Sequence, residues 1–310
     1  MNAFYLRSLN GDPSYNLAVE EYMLDHLPEN SLIFLIWQSD NAVIIGRHQN
    51  PWKETDSAFM LLKKIMLGRR ISGGGAVYHD RGNLNFSFIA DMRLLNVDRQ
   101  LRALSESLVP YGIRATVGER KDLRALGRKF SGSAYAFRHG RALHHGTVLV
   151  NADLNMMRAL RGRINITRQR GTLSENSAVI NLKSINPEIS IEWVVGSLRA
   201  RMEELSGCRF SDREICDMCD ESGLSSLHDK HRSWEWRYGN TPAFEAVIGA
   251  GGRHISLHVD KGRVGPVIIL PEGDALIDAG GAVRFHMGEV QKLLAGANEP
   301  RVSLIDKDMF

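Results

Sequence analysis

Residues Arg69–Asn83 read "RRISGGGAVYHDRGN": two arginines, three contiguous glycines, then a His-Asp pair. Adjacent glycines let a backbone approach a ligand closely and turn successive N–H groups toward it, as an anion nest does. Arg69 and Arg70 at the entrance can meet phosphate oxygens with forked, charge-assisted hydrogen bonds. The stretch lacks the Gly-Lys-Ser/Thr ending of a P-loop, and its glycines are not spaced as in the dinucleotide fingerprint. The residues alone read as a phosphate or nucleotide loop. A plain turn with surface arginines is the competing reading, and it leaves Ser72, His79, Asp80 and Asn83 unexplained.

Strands are expected on both sides of this loop. Upstream lie "AFYLRSL", "SLIFLIW" and "NAVIIG", with a helix capped at Asp12-Pro13 between the first two. Downstream, "NLNFSFIA" alternates, with Leu84, Phe86 and Phe88 on one face. A helix carrying Leu101, Leu104 and Leu108 follows, then a strand at Ile113–Val117. "DLRALGRKFSGSAYAF" reads as a hairpin turning near Gly127, and "HHGTVLVNADL" as another strand. Ile191, Val194, Leu198, Met202 and Leu205 mark an amphipathic helix. The mixture lacks regular strand–helix alternation, which favours an α+β mixed sheet over a doubly wound one. Residues 1–220 are expected to form the main domain, the polar stretch 221–233 a linker, and 234–310 a small α/β domain. That second part should hold a hairpin at "HISLHVDKGRVGPVIIL" and a helix near Glu289–Ala295.

Lys+Arg number 39 against Asp+Glu 36, a net charge of +3. That is too mild for a nucleic-acid binder by composition, so basic function must come from local clustering. No apolar run approaches the roughly 20 residues needed to span a bilayer, and the N-terminus has no apolar core of a secretory signal. No membrane partner and a cytoplasmic location are the expectation. Cys208, Cys216 and Cys219 crowd together in a spacing that fits no common zinc module, and read as buried or idle thiols. A helix capped at Ser211, with Glu214 three residues on, is expected there.

Two further clusters carry chemistry. In "GRKFSGSA", Lys129 precedes small-residue turns and could neutralise charge developing on a phosphate or carbonyl oxygen. In "HHGTVLVNADL", two histidines and Gly146 enter an apolar strand and could line a pocket or be satisfied core residues. "NLAVEEYML", "VIIGRHQNPWKE", "RRISGGGAVYHDRGN", "GRKFSGSAY", "HHGTVLVNADL" and "WEWRYGNTPAF" occur in this order along nearly the whole chain. In order and spacing they resemble the lipoate-protein ligase family, which shares its catalytic fold with biotin-protein ligases. The chain begins directly in the catalytic domain, so a DNA-binding repressor of the biotin-ligase type is not expected.

The resemblance implies two half-reactions: lipoate and ATP give lipoyl-AMP, then a lysine of a lipoyl domain takes the acyl group. It implies acceptors among the E2 subunits of 2-oxoacid dehydrogenases and the glycine cleavage H protein. It places Arg70, Ser72, Gly73, Gly74, Gly75, Ala76, Val77, Tyr78, His79, Asp122 and Lys129 at ATP or lipoyl-AMP, with Lys129 serving both steps. Trp37, Val43, Ile45, His79, His145 and Gly146 become candidate walls for lipoate, and Asp122 a candidate magnesium ligand. The chain also departs from the bacterial ligase pattern. Asn176 and Ala178 stand in "SENSAVINL" where that pattern has two arginines, and Glu119-Arg120-Lys121-Asp122 replaces Gly-Arg-Asn-Asp. Arg168 and Arg170 lie just upstream as possible substitutes. A lipoyltransferase using preformed lipoyl-AMP, and a non-catalytic lipoate or nucleotide sensor, therefore stay open beside the full ligase.

Overall fold

The computed structural model describes residues 1–250, 253–269 and 283–286. The chain begins with β1 (Asn2–Ser8), α1 (Pro13–His26), β2 (Ser31–Trp37), β3 (Ala42–Ile45), α2 (Pro51–Glu54) and α3 (Ser57–Leu62). β4 (Met66–Arg69) and β5 (Val77–His79) bracket the glycines, followed by β6 (Asn83–Asp91) and α4 (Val97–Glu106). Next come β7 (Thr116–Val117), β8 (Leu123–Ala125), β9 (Arg128–Arg138), β10 (Arg141–Leu149) and β11 (Asn165–Gln169). α5 (Ile191–Ser206), β12 (Ser211–Asp212), α6 (Ile215–Met218) and α7 (Glu221–Arg232) precede β13 (Phe244–Ala250), β14 (Arg253–Asp260) and β15 (Arg263–Ile269).

The main sheet runs β12-β1-β2-β6-β10-β9-β8-β7. β1 is parallel to β2 and β12, and the remaining pairs are antiparallel, so the α+β mixed sheet expected from the sequence is what forms. β2 is apolar at every position but its first because helices cover both faces of the sheet. Leu32, Phe34 and Ile36 point toward Leu101, Leu104, Leu198 and Met202; Ile33, Leu35 and Trp37 point toward Leu17 and Leu24 of α1. Leu84, Phe86 and Phe88 share the first face as expected, with Phe34 stacked on Phe88 at 4.8 Å. The alternate residues of β6, Asn85 and Ser87, therefore face the α1 side.

A small sheet, β4-β3-β5, holds the glycine stretch as the connection between β4 and β5. The third sheet, β11-β13-β14-β15, joins a strand from the middle of the chain to the C-terminal part. Two hairpins turn where expected. Leu126 and Gly127 (φ 51° and 74°) and Lys261 and Gly262 (φ 47° and 69°) are left-handed pairs that match the twist of the strands they join.

Several expectations are corrected. Only Thr116–Val117 of the Ile113–Val117 segment is strand. Ser211 caps no helix: its backbone pairs with Phe4 as edge strand β12, and α6 starts after Glu214. The polar stretch 221–233 carries helix α7, packed along α1. The helix expected near Glu289–Ala295 lies outside the described residues.

α7 is held to the body by a buried carboxylate. Glu21 of α1 accepts hydrogen bonds from His231 Nε2 at 2.8 Å, Lys230 Nζ at 2.5 Å and Arg138 Nη1 at 3.0 Å. Burial alone would raise its pKa, but the bonds and charges of His231 and Lys230 outweigh it and bring the carboxyl down to about 2. A carboxyl depressed in the folded state stabilises it above the unfolded value of 4.5, and that contribution is lost as pH falls toward 2. Thermal midpoints measured from pH 5 down to pH 2 are expected to fall less steeply for Glu21→Gln than for the parent. Equal slopes would show that Glu21 is not the acid-sensitive clamp.

Candidate active site

A cavity of about 750 Å³ opens between α1, the small sheet and strands β9 and β10. Leu17, Glu20, Trp37, Ile44, Asn85 and His145 form its depths, and Lys129, Asp122, Arg120 and residues 172–177 its more polar side. Gly74, Gly75, Ala76 and Val77 supply the wall between.

The glycine wall is shaped by Arg70. Its Nη2 donates to the carbonyls of Gly73 (2.6 Å) and Gly75 (2.8 Å), Nε to Ser72 Oγ (3.0 Å), and Nη1 to the Ile44 carbonyl (3.1 Å). Carbonyls turned toward the guanidinium leave the N–H groups of Gly74 and Gly75 without a partner among the described residues. Burial lowers the Arg70 pKa to about 10, with Glu20 opposing, so the group stays charged at neutral pH. Gly74 sits at φ 88°, where a Cβ would come within 2.9 Å of Arg70 Nη2. Gly46 permits the same closeness on the other side, since a Cβ there would lie 2.3 Å from the Gly74 carbonyl oxygen.

A buried polar chain runs behind this wall. Glu20 Oε2 meets His145 Nδ1 at 2.8 Å, and His145 Nε2 meets Ser72 Oγ at 2.6 Å. An ionised Glu20 can only accept, so His145 Nδ1–H donates to it, and Nε2 of the neutral ring then accepts from the Ser72 hydroxyl. Ser87 Oγ and Trp37 Nε1 also donate to Glu20. Burial pushes the Glu20 pKa up, yet His145, Ser87 and Trp37 together bring it below the ordinary carboxyl value. His79 differs: both ring nitrogens lack a partner among the described residues, and burial, with Arg70 and His145, holds its pKa down to about 3. It is a neutral imidazole, edge-on to Trp37 at 5.6 Å between ring centres.

Lys129 enters from β9. Leu123 pairs with Ser131 but Arg124 with Lys129, so Phe130 is the extra residue of a bulge. Phe130 goes to the core while Lys129 faces the cavity. Gly132 leaves it room, since a Cβ there would be 2.9 Å from Lys129 Cε and Nζ. The ammonium makes no hydrogen bond among the described residues. Burial lowers its pKa, Asp122 opposes this, and Arg124, Arg120 and Arg70 add to it. Asp122 is buried and accepts from Arg124 Nε at 2.8 Å. Residues 172–181 close over this side: Lys129 N–H donates to the Ala178 carbonyl at 2.9 Å, and Ser174 Oγ accepts from the Ala76 N–H at 2.8 Å.

Most of the residues singled out from the sequence meet here: Trp37, Arg70, Gly74, Gly75, Ala76, Val77, His79, Asp122, Lys129, His145 and Gly146 line the cavity. Val43 and Ile45 do not. They point to the other face of β3, among Met60, Ile65 and Leu67, and Ile44 takes the place expected of them. The error is one of strand parity, which an all-apolar strand cannot reveal. Tyr78 is turned the same way, toward Met60 and Ala159. Ser72 and Gly73 support the wall from behind. Arg70, expected to fork onto phosphate oxygens, has its guanidinium engaged by Ile44 and by its own loop. Glu20, Asn85, Thr172 and Leu173 were missed, whereas the "SENSAVINL" segment singled out from the sequence does reach the cavity through Ser174–Ser177; a glutamate among the apolar residues of "NLAVEEYML" was the available signal for the first.

Comparison with known proteins follows the same geometry. A sequence profile of the lipoyl protein ligase A/B catalytic domain matches residues 12–203. This chain belongs to that family. The lipoate-protein ligase A of Blochmanniella floridana is 34% identical over 250 residues, covering 78% of this chain and 74% of the relative. A crystal structure of lipoate-protein ligase A bound with ATP superposes at a TM-score of 0.65 with 27% identity, covering 76% of this chain and 98% of that one. The bipartite ligase of Thermoplasma acidophilum, studied with its E2 lipoyl domain, gives 0.64 and 28%, covering 76% of this chain and 96% of that one. The part shared with the family contains every cavity residue named above, from Leu17 to Ser177.

Gly74→Ala tests the wall. A Cβ at positive φ, pressed on the Arg70 guanidinium, is expected to cost about 1–3 kcal/mol, read as a lower thermal midpoint. An unchanged midpoint would mean that Arg70 does not hold the loop.

Proposed function

We propose that this chain is an ATP-dependent lipoate-protein ligase. Lysine-directed acyl transfer would proceed through lipoyl-AMP to lipoyl domains such as those of 2-oxoacid dehydrogenase E2 subunits and the glycine cleavage H protein. The observation that carries the reading is Lys129: an ammonium without a hydrogen-bond partner among the described residues, lining the same cavity as Gly74 and Gly75, whose N–H groups are likewise unpaired among those residues.

A carboxylate and a triphosphate repel, so the site must supply fixed positive charge before they can react. The lipoyl tail would lie against Leu17, Trp37, Ile44 and Val77, with its carboxylate directed toward Lys129. A carboxylate oxygen then attacks the α-phosphorus and pyrophosphate leaves, with the new negative charge meeting Lys129 and the Gly74 and Gly75 N–H groups. In the second step the acceptor lysine attacks the mixed anhydride carbonyl and AMP leaves. Lys129 lies between carbonyl and phosphate and serves both transition states. The Glu20–His145–Ser72 chain holds the wall in register and takes no part in bond making. Asp122 would be the residue to hold magnesium, through the carboxylate oxygen that Arg124 does not occupy. Among the described residues no three His, Cys, Asp or Glu side chains gather into a closed metal site. A magnesium ion there would neutralise phosphate charge. None of the three cysteines lines the cavity, so acyl transfer through a thioester finds no nucleophile there.

Lipoate-dependent exchange of pyrophosphate into ATP tests the reading, and its absence from the parent protein would overturn it. Lys129→Ala is expected to keep the fold and lose about two to three orders of magnitude in acceptor lipoylation. Activity within a few-fold of the parent would remove Lys129 from the chemistry, and an active parent excludes a mere sensor. A second reading, transfer from preformed lipoyl-AMP, is favoured by Asn176 at the cavity edge and Ala178 beside Lys129, both short of charge. It expects faster lipoylation from supplied lipoyl-AMP than from lipoate plus ATP; equal rates would mean that another cation serves activation.

A further inference from the structure

Resting on the ligase reading, we propose that Arg120, exchanged from Glu175 onto the triphosphate, is the cation that compensates for Asn176 and Ala178. Four cationic side chains line the cavity among the described residues: Arg70, Arg120, Arg124 and Lys129. Arg70 is occupied by the carbonyls of Ile44, Gly73 and Gly75 and by Ser72, and it cannot leave without dismantling the glycine wall. Arg124 is held on Asp122. Lys129 is committed to the reacting centre. Arg120 differs from these. It is paired with Glu175 across the cavity edge, and the two side chains are 70% and 60% exposed.

The upstream arginines do not fill the gap. Arg168 lies on β11, where its guanidinium meets Glu245 of β13 at 3.2 Å, and neither Arg168 nor Arg170 lines the cavity. Glu175, by contrast, is held in place. Ser174 before it is bonded to Ala76 N–H and to Gln49 Nε2, and Ala178 after it is bonded to Lys129 N–H. A carboxylate fixed there repels an incoming phosphate unless Arg120 stands between them. Exposed ion pairs contribute little, whereas a guanidinium fork on phosphate is among the stronger charge-assisted contacts, so the exchange runs downhill when ATP arrives. Glu175 thereby parks Arg120 at the site and sets how much ATP is needed to draw it in.

The KM values for ATP and for lipoate in lipoate-dependent pyrophosphate exchange test this. Arg120→Ala is expected to raise the ATP KM about tenfold or more, the loss of one charge-assisted phosphate contact. Glu175→Gln is expected to lower it about two- to fivefold, as an exposed pair is released. The lipoate KM, set in the apolar depths, should stay within about twofold in both. A parent without exchange would overturn the ligase reading itself. An active parent whose ATP KM is unmoved by Arg120→Ala, or raised by Glu175→Gln, would overturn this assignment alone.

Discussion

Two adjacent guanidiniums are buried at the end of β4, and most of their hydrogen bonds go to backbone carbonyls. Arg70 gathers the carbonyls of Ile44, Gly73 and Gly75. Arg69 faces the opposite way and gathers those of Arg47, Gln49 and Arg237, with Thr241 Oγ1 at 3.0 Å. Taking a cation out of water is costly, and here the cost is offset by saturating nearly every N–H with an acceptor. The return is rigidity. A run of glycines has the largest conformational freedom of any segment, and Arg70 removes that freedom before any ligand arrives.

The cavity then divides by polarity in a way that suits a bifunctional substrate. Its inner end has a neutral histidine, a tryptophan edge and aliphatic side chains around a buried but fully engaged Glu20. Its outer end collects cations and the N–H groups of the loop. Glu20 does not spoil the apolar end because its charge is spent on His145, Ser87 and Trp37. The same bonds orient His145 toward Ser72 and so toward Arg70. A single hydrogen-bonded chain thus runs from helix α1 to the glycine loop, and packing of α1 on the sheet is felt at the loop.

Arg69 extends the same constraint to the C-terminal part. Its contacts with Arg237 and Thr241, and the bond from Trp236 Nε1 to the Arg69 carbonyl at 2.7 Å, tie the segment after α7 to the strand that feeds the loop. Trp52, Tyr238, Phe244 and Phe285 pack around the same junction. α7 reaches it while clamped to α1 through Glu21. Helix α1 and the segment after α7 are therefore joined beneath the site.

Local patterning carried much of this. The glycine run, the small residues after Lys129, the left-handed turns and the alternation of β6 are each written in a few consecutive residues, because backbone angles and strand parity are local properties. From them, and from the order of the motifs, the mixed sheet, the loop and Lys129 were legible. Three matters depended on residues far apart in sequence. Which side of β3 faces the cavity is undetermined by four apolar residues and is settled by what packs against each face. That Arg70 serves its own loop depends on the Ile44 carbonyl of β3, twenty-six residues upstream, joining those of Gly73 and Gly75 around one guanidinium. That Arg120 meets Glu175 depends on loops more than fifty residues apart being brought together by β9 and the segment paired with it. The chemistry available was written in the order of residues; which charges are spent on the fold and which remain for a ligand was set by folding, since hydrogen-bond satisfaction is a property of neighbours in space.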